Sequence, residues 1–275
     1  MGLLFGYFLI HLIIFVKIWV LNNFIHTQAQ LGTNVKVEHF STIYEDVIIG
    51  DNTWIGPNVT LFPGTRIGSD CKIFPGAVIG AIPQDLKFHG EYSTVEIGNR
   101  VVVRECATIN RGTEAAGTTK IGNDTMLMAY VHIAHDCIIG AHCILANSTN
   151  LAGHVIIEDF AYFGGMSGAH QFTKIGKHCF ISGGSMISKD VPPFCLVMRN
   201  PAQYAGINSV GLKRQQFSTD DIHLIQDVYR ILYGSGLNTS QALLKIEEEI
   251  SISPNRDYII QFVRDSKRGI IKGIY

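Results

Sequence analysis

Between positions 132 and 143 the chain reads HIAHDCIIGAHC, three histidines and two cysteines in twelve residues. Three kinds of chemistry fit those types. Imidazoles and thiolates together can hold zinc. A neutral imidazole can accept a proton near pH 7. A cysteine can also be a small apolar core residue with no chemistry. Which applies depends on the element that carries the segment.

That element announces itself as a period of six. Stepping by six from Ile25 gives Leu31, Val37, Ile43, Ile49, Ile55, Leu61, Ile67, Ile73 and Ile79 without a miss. The same phase returns at Ile97, Val103 and Ile109, and again from Ile121 to Ile187, where only Phe163 and Ala169 are not branched aliphatics. A second column four residues on is small or β-branched: Thr53, Val59, Thr65, Cys71 and Ala77, then Cys137, Cys143 and Thr149 through Cys179. Neither a helix nor a plain alternating strand has this period. Three hexads closing a triangular coil of eighteen residues do, and stacked coils bury the aliphatic column continuously. Glycine often follows the aliphatic, as at Gly50, Gly68, Gly122 and Gly140, where a tight corner is expected to require a permissive backbone. Two in-phase interruptions, GAIPQDLKFHGEYSTVE and NRGTEAAGTT, are expected as loops thrown out from the coil.

In this register Cys71, Cys137, Cys143 and Cys179 fall in the inward column and are expected to pack rather than to ligate metal. The histidines fall outside both columns, on the outer wall. One coil later than His135 stands Gly153, and one later than Asp136 stands His154, about 4.8 Å away along the stack. An exposed imidazole beside a glycine amide pairs a proton acceptor with a donor for a developing oxyanion, which suits acyl transfer.

Composition bounds the rest. In 275 residues, 47% hydrophobic with 28 glycines and 8 prolines, there is material for a sizeable core. A formal charge of −1 gives no global field for nucleic acid or a membrane surface. Six scattered cysteines without a CxxC pair point to a reducing compartment, hence the cytoplasm. Residues 1–21 are nearly all apolar and admit three readings: an anchor, a signal sequence, or an extension upstream of the natural start. We expect the last, with the first coil beginning near residue 22 and membrane association left open. From Ser218 the hexads give way to helices: one from a Ser218/Asp221 capping box to about Gly234, one from about Ser240, and one from Asn255 to near Gly269. The expected fold is mainly β, a left-handed parallel β-helix over 22–210 followed by a small α-helical domain over 211–275.

The hexads resemble those of the hexapeptide acyltransferase superfamily, and a longer set of motifs narrows the likeness. PQDLKF (83–88), HIAHDC (132–137), LAGHV (151–155), GGM (164–166), HQF (170–172), KDVPP (189–193) and GLKR (211–214) resemble, in order and spacing, the UDP-N-acetylglucosamine O-acyltransferases that open lipid A synthesis. The resemblance implies His135 as general base, Asp136 as its orienting partner and the Gly153 amide as oxyanion donor. It implies sugar-nucleotide contacts from Asp85, Lys87, His132, His154, Gln171, Asn208 and Arg214, and an acyl-chain ruler at Gly183 that leaves room for a long chain. It further implies UDP-N-acetylglucosamine and a β-hydroxyacyl chain on acyl carrier protein as substrates, a homotrimer with sites between subunits, and neither metal nor cofactor. Lys213, Arg214, Lys267, Arg268 and Lys272 are candidates for docking the acidic carrier protein. Pro201 and Val210 depart from the polar nucleotide contacts that some relatives carry there.

Rival readings are a related acyltransferase acting on a 3-amine or at a later N-acyl step, a γ-type carbonic anhydrase with zinc on His132, His135 and His154, and a solenoid scaffold without activity. The loop and tail motifs have no use in the last two.

Overall fold

A computed structural model describes residues 23–274; the expectations for residues 1–21 lie outside the described residues. Short strands, mostly of two residues, stack into three flat parallel sheets, the faces of a triangular prism. The first face runs from Phe24–Ile25 to Met186–Ile187, the second from Gln30–Leu31 to Lys174–Ile175, and the third from Lys36–Val37 to Gln203–Ile207. Pairing is between residues eighteen apart, as in His132↔Asn150 and Ile133↔Leu151, so a coil spends three hexads except where an insertion widens the step, to thirty at Val78↔Thr108 and twenty-four at Thr108↔His132. This is a left-handed parallel β-helix.

Both inward columns are buried from Ile43 onward, whereas Ile25 and Leu31, in the first coil, are exposed and Val37 is half-buried. Ile43, Ile55, Ile73, Ile109, Ile133 and Ile181 have no exposed surface, and neither do Thr53, Thr65, Cys71, Ala77, Cys137, Cys143 and Cys179. The thiols donate to carbonyls of the next turn, Cys137 Sγ to Ala152 O at 3.2 Å and Cys179 Sγ to Pro192 O at 3.0 Å. Burial pushes the Cys137 and Cys143 thiols up to about 12, which removes them as thiolate ligands or nucleophiles at neutral pH.

The expected reason for the glycines was wrong. Gly50, Gly122 and Gly140 do not occupy the left-handed region; that region falls two residues later, on Asn52, Asp124 and His142, and likewise on Asp136 and His154. What these glycines provide is space. A Cβ on Gly122 would stand 2.5 Å from the Gly140 carbonyl carbon, and one on Gly50 2.6 Å from that of Gly68. Coils in register at the sheet spacing leave no room there for a side chain.

Both interruptions leave from one corner, between the first and second faces. The chain takes residues 82–93 to pass from Val78–Ala81 to Thr94–Ile97, and residues 111–117 from Thr108–Asn110 to Thr118–Ile121.

After the last coil the strand Cys195–Met198 pairs antiparallel with Gln203–Ile207. Four helices follow: α1 (Ser209–Arg214), α2 (Thr219–Gly234), α3 (Thr239–Glu249) and α4 (Pro254–Asp265). Helix α1 was not expected and crosses the boundary drawn between 210 and 211. The Ser218 hydroxyl caps α2 by accepting from the Asp221 amide, but the Asp221 carboxylate takes the Ser218 hydroxyl proton instead of closing a capping box. Asn238 and Gln241 do form a capping box, on α3. Helix α4 stops at Asp265, short of Gly269, because the following segment pairs with the solenoid: the Asp190 amide donates to Gly269 O and the Ile271 amide to Asp190 O. Tyr229, fully buried, donates its hydroxyl to Pro193 O and anchors α2 to the prism.

Candidate active site

His135 and Asp136 occupy the corner between His132–Ile133 and Ile138–Ile139, directly below the second inserted loop. Asp136 has a left-handed backbone, φ 61°, a conformation Asp tolerates better than most residues. That conformation turns its carboxylate back into the wall, where its side chain is fully buried. His135 Nδ1 lies 2.8 Å from Asp136 Oδ2. A carboxylate only accepts, so Nδ1 carries a proton, and in the neutral ring this leaves the lone pair on Nε2. Thr113 completes the carboxylate's shell, donating its amide to Oδ1 at 2.9 Å and its hydroxyl to Oδ2 at 2.6 Å. Burial works to raise the Asp136 pKa, yet the hydrogen bonds from Thr113 and His135 outweigh it and hold the group below the usual carboxylate range. Asp136 is therefore an anion at neutral pH.

One coil further on, Gly153 lies against the His135 ring. A Cβ there would meet Cε1 at 2.6 Å and Nε2 at 2.7 Å, so only glycine lets the imidazole lie flat on this corner. Among the described residues the Gly153 amide finds no acceptor, while its carbonyl takes the Phe172 amide. His154 stands edge-on to His135 with centroids 5.1 Å apart and stacks on Phe172 at 4.4 Å. Burial lowers the His154 pKa against the pull of Asp136, and burial alone lowers that of His132. His132 Nδ1 is 2.7 Å from Thr108 Oγ1.

His135 forms the wall between two clefts. One, of about 910 Å³, lies under the inserted loops and is lined by Asp85, Lys87, Glu91, Glu114, His154 and Gln171 among others. The other, of about 700 Å³, runs along the first face past His132, Asn150 and Gly168 to Met186 and Pro201. Asp85 Oδ2 comes within 4.0 Å of His135 Nε2, and Asp85 Oδ1 accepts the Lys87 amide. The polar cleft suits a sugar nucleotide and the more apolar one an acyl or thioester arm.

Of the residues singled out in the sequence, His135, Asp136, Gly153, Asp85, Lys87, His132, His154 and Gln171 come together here. Three do not. Asn208 and Arg214 line a third cleft of about 620 Å³ on another edge of the prism, with His142, Phe160 and His178. The Asn208 side chain is committed there, capping α1 through the Gly211 amide and donating to His178 O. Gly183 lies at the corner between the third and first faces, beside Gly165, and borders neither cleft at His135. Thr113, Phe172 and Met186 were not singled out: Phe172 ends the HQF motif without a role of its own, and neither Thr113 nor Met186 carries a motif or periodic signal for a site. His135, Asp136 and His154 hold ligand atoms within 4.8 Å of one another, whereas His132 stands outside that group, against the three-histidine zinc reading.

A left-handed β-helix with a carboxylate-held imidazole on its outer wall, between a polar and an apolar cleft, defines a hexapeptide-repeat acyltransferase. Relatives narrow the class. The hexapeptide-transferase description matches residues 28–63, 46–81 and 118–153, and that of "Udp N-acetylglucosamine O-acyltransferase; Domain 2" matches residues 190–271. The acyl-[acyl-carrier-protein]–UDP-N-acetylglucosamine O-acyltransferase of Janthinobacterium sp. (strain Marseille) is 46% identical over 199 residues, 70% of this chain and 76% of that protein. The UDP-N-acetylglucosamine acyltransferase structure from Bacteroides fragilis superposes with a TM-score of 0.90 at 49% identity, covering 92% of this chain and 99% of the other. That from Francisella novicida gives 0.89 at 37% identity, covering 92% and 94%. The chain belongs to the UDP-N-acetylglucosamine O-acyltransferase family.

Proposed function

We propose that this protein transfers a β-hydroxyacyl chain from acyl carrier protein to the glucosamine 3-hydroxyl of UDP-N-acetylglucosamine, the first step of lipid A synthesis. The observation that carries the reading is the free Nε2 of His135, oriented through Nδ1 by Asp136 and set between the two clefts beside an unpaired Gly153 amide.

The sugar nucleotide occupies the loop cleft and the thioester the apolar one. His135 Nε2 takes the 3-hydroxyl proton as the oxygen attacks the thioester carbonyl. The negative charge that develops on the carbonyl oxygen is met by the Gly153 amide, and the charge on the imidazolium by Asp136. Collapse breaks the C–S bond, and the imidazolium returns its proton to the departing thiolate. Ester and free thiol leave with no net proton change.

The third cleft fits the same scheme if the protein works as a trimer. A closed ring of three joins unlike patches of neighbouring chains, so one edge of a prism meets a different edge of the next. Arg214, exposed at the end of α1, then reaches the diphosphate held beside a neighbour's His135, and its planar fork suits that group.

The test is turnover of UDP-N-acetylglucosamine with a series of β-hydroxyacyl carrier proteins, repeated with His135→Ala. Loss of general-base help is expected to lower kcat by about 10² to 10⁴ with assembly unchanged. Activity of His135→Ala near wild type would remove the base. Preference for a 3-amino acceptor would move the reading to the related amine-acylating enzymes.

A further inference from the structure

We propose that Thr113 is a positioning residue for the His135–Asp136 pair, delivered by the second inserted loop; the proposal rests on the acyl-transfer reading above for its effect on turnover. Asp136 Oδ2 faces two imidazoles, His135 Nδ1 at 2.8 Å and His154 Nε2 at 3.7 Å. Nothing in the backbone of Asp136 decides between them. Its amide is held by Thr119 Oγ1 at 2.8 Å, which fixes the main chain and leaves the carboxylate free to turn. Thr113 stops that rotation. Its amide holds Oδ1 and its hydroxyl holds Oδ2, so the carboxylate plane is set with Oδ2 toward His135. Both contacts are buried, where a hydrogen bond to a charged acceptor is strong and its loss leaves an anion under-solvated.

The residue is where it is because of the insertion. Thr113 begins a tight turn, accepting the Gly117 amide at its carbonyl and the Ala115 amide at Oγ1. The next residue, Glu114, donates its amide to Glu91 Oε1 in the first loop. The two loops that wall the polar cleft are thus tied to each other and, through Thr113, to the carboxylate that orients the base. A substrate seated between the loops presses on the same turn that aims the imidazole.

Thr113→Val keeps the shape and the amide bond and removes the hydroxyl, and with it the acceptor for the Ala115 amide. Expected is a fall in kcat of about 10- to 100-fold, the usual scale for losing an orienting partner, with KM for UDP-N-acetylglucosamine unchanged. Thr113→Ser restores kcat. A structural role alone would not move the second readout, the low-field proton resonance of His135 Nδ1–H, assigned by its loss in His135→Ala. It is expected to be sharp in the wild-type and serine proteins and exchange-broadened in the valine variant. Wild-type kcat together with an unchanged resonance in Thr113→Val overturns the proposal. If the wild type fails to acylate the sugar nucleotide but the resonance still depends on Thr113, the functional reading falls and the positioning role stands. Should the valine variant not fold, Thr113→Cys, with a weak donor in place of the hydroxyl, is judged by the same two outcomes.

Discussion

At the residue scale the site depends on contacts of a few tenths of an ångström. Gly153 is the sharpest case, because an added methyl would stand 2.7 Å from His135 Nε2 and must push the ring off the corner. Gly153→Ala is expected to lower kcat about 10²-fold, the scale of a 1 Å misplacement of a reacting group, although the peptide amide survives. Steady-state kinetics with circular dichroism checks this; normal kcat in a folded variant would show that the ring has slack. That His135 and His154 lie on the outer wall, with Gly153 one coil from His135, was legible in the sequence because the hexad phase fixes which residues stand one coil apart; the turn of the Asp136 carboxylate into the wall was not. Thr113 was not legible. It sits in a segment without period, and its contacts span twenty-three residues.

Elements show the same division. The sixfold columns gave the three faces, the burial of the cysteines and the return of phase after each loop, since a repeat states its own geometry. The corner glycines were misjudged because a left-handed backbone and a close approach both select glycine, and only coordinates separate them. The start of α2 followed its local cap at Ser218; α4 begins at Pro254, capped by Ser253 and one residue ahead of the expected Asn255, and its end departed where tertiary pairing took over, after Asp265. One edge carries an aromatic ladder in which Phe160, His178 and Phe194 stack with centroids 4.8 Å and 5.8 Å apart. Burial, with Lys177 adding to it and Asp159 opposing, pushes His178 down to about 4. The unfolded chain binds that proton from about pH 6.5 downward while the folded one stays neutral, so stability present above pH 6.5 is lost as pH falls toward 4. His178→Phe is expected to flatten that part of the pH dependence of the unfolding midpoint. An unaltered slope in the variant would place the acid sensitivity elsewhere.

For the molecule as a whole, the separation of Arg214 from His135 is the informative fact. Sequence order gave no hint of it, since which edge of a prism a residue occupies matters only once a second prism stands beside it. If the site is composite, His135→Ala and Arg214→Ala, each weak alone, complement when co-expressed. Random mixing in a ring leaves about a quarter of the sites with both native residues, and activity should recover to roughly that fraction. No recovery above the two separate variants would mean that Arg214 serves its own chain or none. Among the described residues no helix is long and apolar enough to cross a membrane.

Both insertions spring from a single edge; the hydrogen-bonded ladder slips by one residue where they leave, between Ile79 and Ala81, and is back in step from Thr94↔Thr118 to Ile97↔Ile121. On the proposed seating of the sugar nucleotide in the loop cleft, acceptor recognition is carried as detachable trim on a frame that does not register its length. Grafting the stretch between Ala81 and Thr94 from a relative with a different appetite should change which sugar is taken while the melting behaviour of the frame stays put.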